Sequence, residues 1–231
     1  MPSIQVWGRP SRIVSLRTSF DLRHMNTPIK RGLYLVTPDW DDTPQLIAAT
    51  RAAVKAGAVC VQYRHKGGTT SQRMEQALSL SVLLKQLGAL FIVNDDAALA
   101  AAVAADGVHI GREDGDVAGI RKKYGNKLIV GVSCYNDFSL AQKAAAEGAS
   151  YIAFGAMFAS PTKPQAVAAP LELVVRAKAE LDVPVACIGG ITADNALPLV
   201  EAGADLLAVI TDVYAAEDPG AQAARFSALY R

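Results

Sequence analysis

Eight short apolar, β-branched runs recur along this chain, and nearly every one stops on a polar or glycine cluster. They are Leu33–Thr37, Ala58–Arg64, Leu90–Asp95, Gly107–Ile110, Leu128–Cys134, Tyr151–Ala156, Val183–Gly190 and Leu206–Thr211. The clusters at their ends include Gln62-Tyr63-Arg64-His65-Lys66, Asn94-Asp95-Asp96, Ser133, Ser160-Pro161-Thr162-Lys163, Gly189-Gly190 and Thr211. Between the runs lie alanine-rich segments of helical character. Such alternation favours a parallel sheet covered by helices. An open doubly wound sheet is one solution. Eight units with polar groups at the strand ends favour the other, a single (β/α)8 barrel whose strand ends converge on one site.

The 231 residues suit one such domain, and 51% hydrophobic content supplies a large core. Helix starts are expected at Thr43-Pro44, with Thr43 as the capping hydroxyl, near Thr70–Ser71, at Ala97, after Gly115, at Asp137, Pro170, Asp194 and Pro219. Gly57, Gly88, Gly125, Gly148 and Gly203 serve as stops. Asp96 and Asp116 read as ordinary helix caps. Phe226 and Leu229 of the last helix should face inward.

Residues 1–31 are out of character. They carry six Lys/Arg and a single acid, Asp21, without periodicity. The expectation is a loosely ordered extension over 1–31, followed by the barrel over 32–231. A transit-like segment, or a true start at Met25, would share this composition.

A net charge of +1 gives no global field for nucleic acid or anionic membrane. No apolar stretch reaches the roughly 18 residues that span a bilayer. Cys60, Cys134 and Cys187 lie inside strand-like runs without CxxC spacing, which suggests buried reduced thiols in a cytoplasmic protein. The composition says nothing of oligomeric state.

Asp95 ends the third strand and Asp114 follows the fourth, so both carboxylates can reach one ion. Two carboxylates with open positions suit Mg²⁺, although each acid alone could cap the following helix. Arg64 and Lys66 close the second strand, and Lys163 lies beyond the sixth. A metal among three cations forms a clamp for a polyphosphate. Asn94 adds an amide and Ser133 a hydroxyl. A second anion site is expected where Gly189-Gly190 and Ile210-Thr211 end strands seven and eight. No Ser/His/Asp set or Cys/His pair is evident. His109, inside a strand, reads as a packed, hydrogen-bonded residue. Two anion sites and a metal suggest the joining of two phosphorylated small molecules.

Six ordered motifs then resemble the thiamine-phosphate synthase family, from about Gly32 to the C-terminus. They are Val61–Lys66, Ile92–Asp95, Gly107–Asp114, Gly131–Ser133, Ser160–Lys163 and Ile188–Ile191. The resemblance implies joining 4-amino-2-methyl-5-(diphosphooxymethyl)pyrimidine to 4-methyl-5-(2-phosphooxyethyl)thiazole. Thiamine phosphate and pyrophosphate result, with Mg²⁺ required. By that pattern Gln62, Tyr63, Arg64, His65, Lys66, Asn94, Ser133 and Lys163 hold the pyrimidine diphosphate. Arg64, Lys66, Lys163 and Ser133 assist the chemical step. Asp95 and Asp114 bind Mg²⁺. Ser160, Pro161, Thr162, Gly190, Ile210 and Thr211 hold the thiazole phosphate.

Three positions depart from the family's usual residues: Tyr135 for a histidine, Arg112 for a glutamine, and His65 for an acid or amide. A sister group, the thiazole tautomerases, uses a histidine as acid/base and has lost much of the diphosphate site. This chain keeps the diphosphate residues and lacks that histidine. A non-catalytic barrel that binds one phosphorylated metabolite is the other alternative, but it needs neither the paired acids nor Lys163.

Overall fold

A computed structural model describes residues 29–159 and 167–231. The extension expected over 1–31 therefore falls almost wholly outside the described residues. So do Ser160, Pro161, Thr162 and Lys163.

The sheet is a closed barrel in sequence order. Its strands are β1 (Gly32–Val36), β2 (Cys60–Tyr63), β3 (Leu90–Asn94), β4 (Gly107–Ile110), β5 (Ile129–Tyr135), β6 (Tyr151–Phe154), β7 (Val185–Ile188) and β8 (Leu206–Val209). Every neighbouring pair is parallel. Closure comes from β1 against β8, with Leu33 opposite Leu207. Each strand has two buried faces, which explains why the runs are continuously apolar.

Strand parity divides the core in two. Leu33, Leu35, Val61, Tyr63, Val93 and Val108 pack outward against the helices. Tyr34, Val36, Cys60, Ile92, Ile129, Tyr151, Ala186, Leu206 and Ala208 fill the barrel interior. The interior is tight enough to dictate residue size. A Cβ at Gly131 would lie 2.0 Å from Cζ of Tyr151, so the Tyr151 ring occupies the space that a side chain at 131 would need.

The helices are α1 (Thr43–Lys55), α2 (Thr70–Leu87), α3 (Ala97–Ala102), α4 (Val117–Tyr124), α5 (Phe138–Ala146), α6 (Glu172–Glu180), α7 (Leu197–Glu201), α8 (Thr211–Tyr214) and α9 (Pro219–Ala228). Asp96, Asp116 and Asp137 cap α3, α4 and α5 through their carboxylates, as expected. For α1 the cap is Asp42 rather than Thr43, and it accepts from the Gln45 amide. Pro170 precedes α6 by two residues instead of opening it. The seventh helix starts at Leu197, not Asp194. A turn intervenes, in which Thr192 N donates to Asn195 Oδ1 and Asn195 N donates back to Thr192 Oγ1. The short α8 was not anticipated. Phe226 of α9 is fully buried, and Leu229 packs against the core from just beyond the helix.

At the face opposite the site, Asp205 ties the barrel floor together. It accepts from Lys178 Nζ at 2.7 Å and from the Val185 amide at 2.9 Å, and Arg31 lies 3.4 Å away. Among the described residues, no helix is long and apolar enough to cross a membrane.

Candidate active site

The interior turns from apolar to polar as the strands reach their C-terminal ends. Gln62 on β2, Asn94 on β3, His109 on β4 and Ser133 on β5 form this polar layer. Above it opens a cavity of about 650 Å³ lined by Arg64, Lys66, Arg73, Asn94, Asp95 and Asp114, among others. Of the residues expected to hold the diphosphate and the ion, Tyr63, Arg64, His65, Lys66, Asn94, Asp95 and Asp114 share one cavity wall, from β2 to the β4–α4 loop, whereas Gln62 and Ser133 lie outside its lining and Lys163 outside the described residues.

Asp95 follows β3 directly and adopts a left-handed backbone, φ 62°. Its amide donates to the His109 carbonyl at 2.8 Å, which holds it against β4. The cap of α3 is Asp96, so Asp95 is left free of that task. Burial, the hydrogen bond with Asp114 and the charge of Asp114 push the Asp95 carboxyl up to about 6, with Lys66 and Asn94 pulling the other way. Asp114 is fixed by its own loop, since Oδ2 accepts from the Gly111 amide at 2.8 Å. Two carboxyls crowded together beside a lysine are chemically fitted to a divalent cation, whose charge would relieve their repulsion. Among the described residues no cluster of three or more His, Cys, Asp or Glu side chains could hold a metal. The pair would leave the rest of an octahedral shell to water and phosphate oxygens.

Arg64 and Lys66 are set by a residue that sequence reading missed. Asp39, in the β1–α1 loop, accepts from Arg64 Nη1 at 2.9 Å and from the Lys66 amide at 2.8 Å. Burial opposes its ionisation, but the Lys66 amide and the Arg64 guanidinium outweigh it and hold the Asp39 carboxyl below the usual range. Thr37 completes the corner by exchanging two hydrogen bonds with the Arg64 backbone. A loop acid three residues past a strand end is a common composition, and nothing local marked Asp39 for this role.

Tyr63 and His65 also line the cavity, with their polar atoms turned to α2 and the β1–α1 loop. Tyr63 donates to Gln76 Oε1 at 3.0 Å, and His65 meets the same oxygen at 3.3 Å and Asp41 at 3.4 Å. Their polar atoms brace the rim against α2. Arg73 of α2 also reaches the cavity, with its Nε buried and without a hydrogen-bond acceptor among the described residues.

His109 is buried, with its ring between Tyr151 and Ser133. Nδ1 lies 2.9 Å from the Tyr151 hydroxyl and Nε2 lies 2.8 Å from Ser133 Oγ. Burial pushes it down to about 4 against the opposing charge of Asp114. It is a neutral, satisfied histidine, as the sequence reading had it. Tyr135 and Arg112, the two departures from the family's usual residues, touch each other. The Arg112 guanidinium sits 5.1 Å from the Tyr135 ring centroid, and its amide donates to the Tyr135 hydroxyl at 3.3 Å. Tyr135 too has a left-handed backbone, φ 53°.

On the far side of the mouth, Gly190 has φ 63°, and a Cβ there would lie 2.7 Å from the carbonyls of Phe158 and Ala159. This glycine lets the β7 loop press onto the chain that leads out of β6. Asn195 donates to the Gly190 carbonyl at 2.9 Å and pins the turn. Ile210 links β8 to α8, which begins at Thr211. A short extra helix after the eighth strand is a recurrent phosphate-holding device in such barrels.

A family model described as thiamine monophosphate synthase matches residues 33–213. A thiamine-phosphate synthase of Azoarcus sp. (strain BH72) is 54% identical over 200 residues, covering 87% of this chain and 97% of that one. Another, of Aromatoleum aromaticum, is 52% identical over 87% of this chain and 96% of its own length. A solved thiamine phosphate pyrophosphorylase from Pyrococcus furiosus superposes with a TM-score of 0.78 at 32% identity, covering 87% of this chain and 96% of that one. A 3-hexulose-6-phosphate synthase, at TM-score 0.64 and 20% identity over 85% of this chain and 98% of its own, shares the fold alone. With a match spanning the barrel and relatives above half identity along nearly their full length, this chain belongs to the thiamine monophosphate synthase family.

Proposed function

We propose that this enzyme joins the pyrimidine diphosphate and the thiazole phosphate named above, giving thiamine phosphate and pyrophosphate. One observation carries the reading: the paired acids Asp95 and Asp114 share a single cavity wall with Arg64 and Lys66. That set suits a diphosphate held through a divalent cation. When bound, Mg²⁺ would supply positive charge to the departing pyrophosphate. Arg64 and Lys66, with Lys163 by family resemblance, neutralise the same growing charge from the protein side. Ser133 and Asn94 orient the diphosphate. Gln62 addresses the pyrimidine.

The thiazole nitrogen attacks through a lone pair and loses no proton. No general base is required, and none is poised among the described site residues, since His109 is buried and occupied on both nitrogens. The pyrimidine amino group stabilises positive charge on the exocyclic carbon, so bond breaking to pyrophosphate leads the displacement. Ser160, Pro161, Thr162, Gly190, Ile210 and Thr211 would hold the thiazole phosphate in line, which trades binding entropy for rate. The three cysteines are buried free thiols, in keeping with a cytoplasmic enzyme.

The test is an end-point assay. Purified protein is mixed with both substrates, with and without Mg²⁺, and thiamine phosphate is read as thiochrome fluorescence. Mg²⁺-dependent product is expected. In Asp95→Ala, turnover should disappear while thiazole phosphate still binds. Folded protein that binds thiazole phosphate but makes no product would transfer the reading to a tautomerase or a metabolite-binding barrel.

A further inference from the structure

Five side chains form one hydrogen-bonded row across the barrel interior. Gln62 Nε2 donates to the Tyr34 hydroxyl at 2.6 Å. The Tyr34 and Tyr151 hydroxyls are 2.7 Å apart, Tyr151 Oη is 2.9 Å from His109 Nδ1, and His109 Nε2 is 2.8 Å from Ser133 Oγ. Tyr34, Gln62, His109 and Tyr151 are all buried, so water does not compete along the row. Ser133, at the rim, is partly exposed.

Proton counting gives this row a direction. With the amide oriented as it is, Gln62 offers an N–H, which can only donate. Tyr34 accepts it and has one proton to give, which goes to Tyr151. Tyr151 in turn gives its proton to His109 Nδ1. An imidazole whose Nδ1 lone pair is so engaged carries its ring proton on Nε2 and donates to Ser133. Ser133 Oγ has then accepted within the barrel, and its own proton is left for the open end, where Ser133 is partly exposed.

We propose that His109 and Tyr151 are positioning residues that turn the Ser133 hydroxyl proton toward the open end of the barrel, making Ser133 an obligate donor to a diphosphate oxygen. The opposite direction would be wrong for that ligand. A Ser133 that donated to His109 would show a ligand at the barrel mouth only lone pairs, and ionised phosphate oxygens offer lone pairs in return. The inference rests on the diphosphate reading of the cavity and adds how its donor is aimed. Two phenols and an imidazole, none of which need touch the ligand, set the polarity of one that does.

The row's polarity is readable without substrate. Selective ¹⁵N labelling of the histidines should show His109 at neutral pH with a pyrrole-type Nε2 and a pyridine-type Nδ1. A pyrrole-type Nδ1 would overturn the proposal. Its consequence is read with pyrophosphate and Mg²⁺ as the probe, titrated calorimetrically into the wild type, Tyr151→Phe, Ser133→Ala and the double variant. Tyr151→Phe keeps the ring that packs over Gly131 and removes the hydroxyl that joins Tyr34 to His109. It should weaken pyrophosphate binding about tenfold, the size expected for one hydrogen bond to a charged group. In the double variant the loss should be no greater than in Ser133→Ala alone, because Tyr151 acts through Ser133. Additive losses, or none in Tyr151→Phe, would reduce the row to a packing feature. Should Tyr151→Phe fail to fold, the wild-type spectrum still decides the direction. A wild type that binds pyrophosphate and shows this tautomer but forms no thiamine phosphate would sink the synthase reading and leave the row intact.

Discussion

Single residues at the mouth work through neighbours that carry no family signature. Asp39 binds no ligand in the scheme above, yet it fixes Arg64 by its guanidinium and Lys66 by its amide. Asp39→Ala should raise the KM for the pyrimidine diphosphate about tenfold, with the thiazole phosphate KM unmoved. Steady-state kinetics in both substrates checks this, and an equal rise in both would refute it. His109 adds a pH dependence. Its folded value of about 4 lies below the ordinary 6.5. Between these values the unfolded chain binds a proton that the folded chain does not, so stability rises with pH across the window. His109's contribution is complete above about 6.5 and is lost as pH falls toward 4, a change of about 3 kcal/mol at most. Urea unfolding from pH 4 to 7 should give a slope that His109→Gln flattens. Comparison with that variant removes the contribution of Asp95, which titrates in the same range. The cavity-lining residues legible in the sequence were those whose type and strand-end position coincide: Asp95, Asp114, Arg64, Lys66. Tyr34 and Tyr151 escaped notice because a tyrosine in an apolar strand looks like core. Only its inward parity beside Gln62 and His109 marks it as polar, and parity requires the strand register.

At the scale of elements, the strands were legible because their physics is local. A buried parallel strand needs an unbroken apolar run, and the runs ended where the strands do to within a few residues. Caps were legible where one good candidate stood alone, as at Asp96, Asp116 and Asp137. They were misread where two stood together. Asp42 and Thr43 are both competent, and only the chain's path chose the acid. The start of α7 depended on a Thr192–Asn195 turn that side-chain hydrogen bonds create. The four residues of α8 are too few to carry a period. Packing between elements makes its own demand at Gly131 on β5. Gly131→Ala should be strongly destabilising, about 2–3 kcal/mol or more, because the added methyl collides with the Tyr151 ring from β6. Thermal and urea unfolding measure it. Near wild-type stability would mean that β5 and β6 separate more readily than their packing implies.

Over the whole molecule, the site is assembled from both ends of the chain. The residues proposed for the diphosphate and the cation run from β2 to β5, with Lys163 beyond β6, and those proposed for the thiazole phosphate come from beyond β6. Ligands that bind only the closed barrel should therefore stabilise all of it. Pyrophosphate with Mg²⁺ at about a hundred times Kd should add about 2.7 kcal/mol, seen as a raised Tm that Asp95→Ala lacks. An unchanged Tm in the wild type would argue against the cavity as a pyrophosphate site. The last pairing needed for closure joins β1 to β8, Leu33 to Leu207, across most of the sequence. Pairings that distant are slow to form, since a long loop must be ordered before any contact rewards it. On the ribosome this has a plain consequence. The acids and cations of the cavity wall, from Arg64 to Asp114, emerge early, but they stay scattered until the final strand leaves the tunnel. A chain cut short before Leu206 would carry every acid and cation of that wall and still have no mouth to put them in.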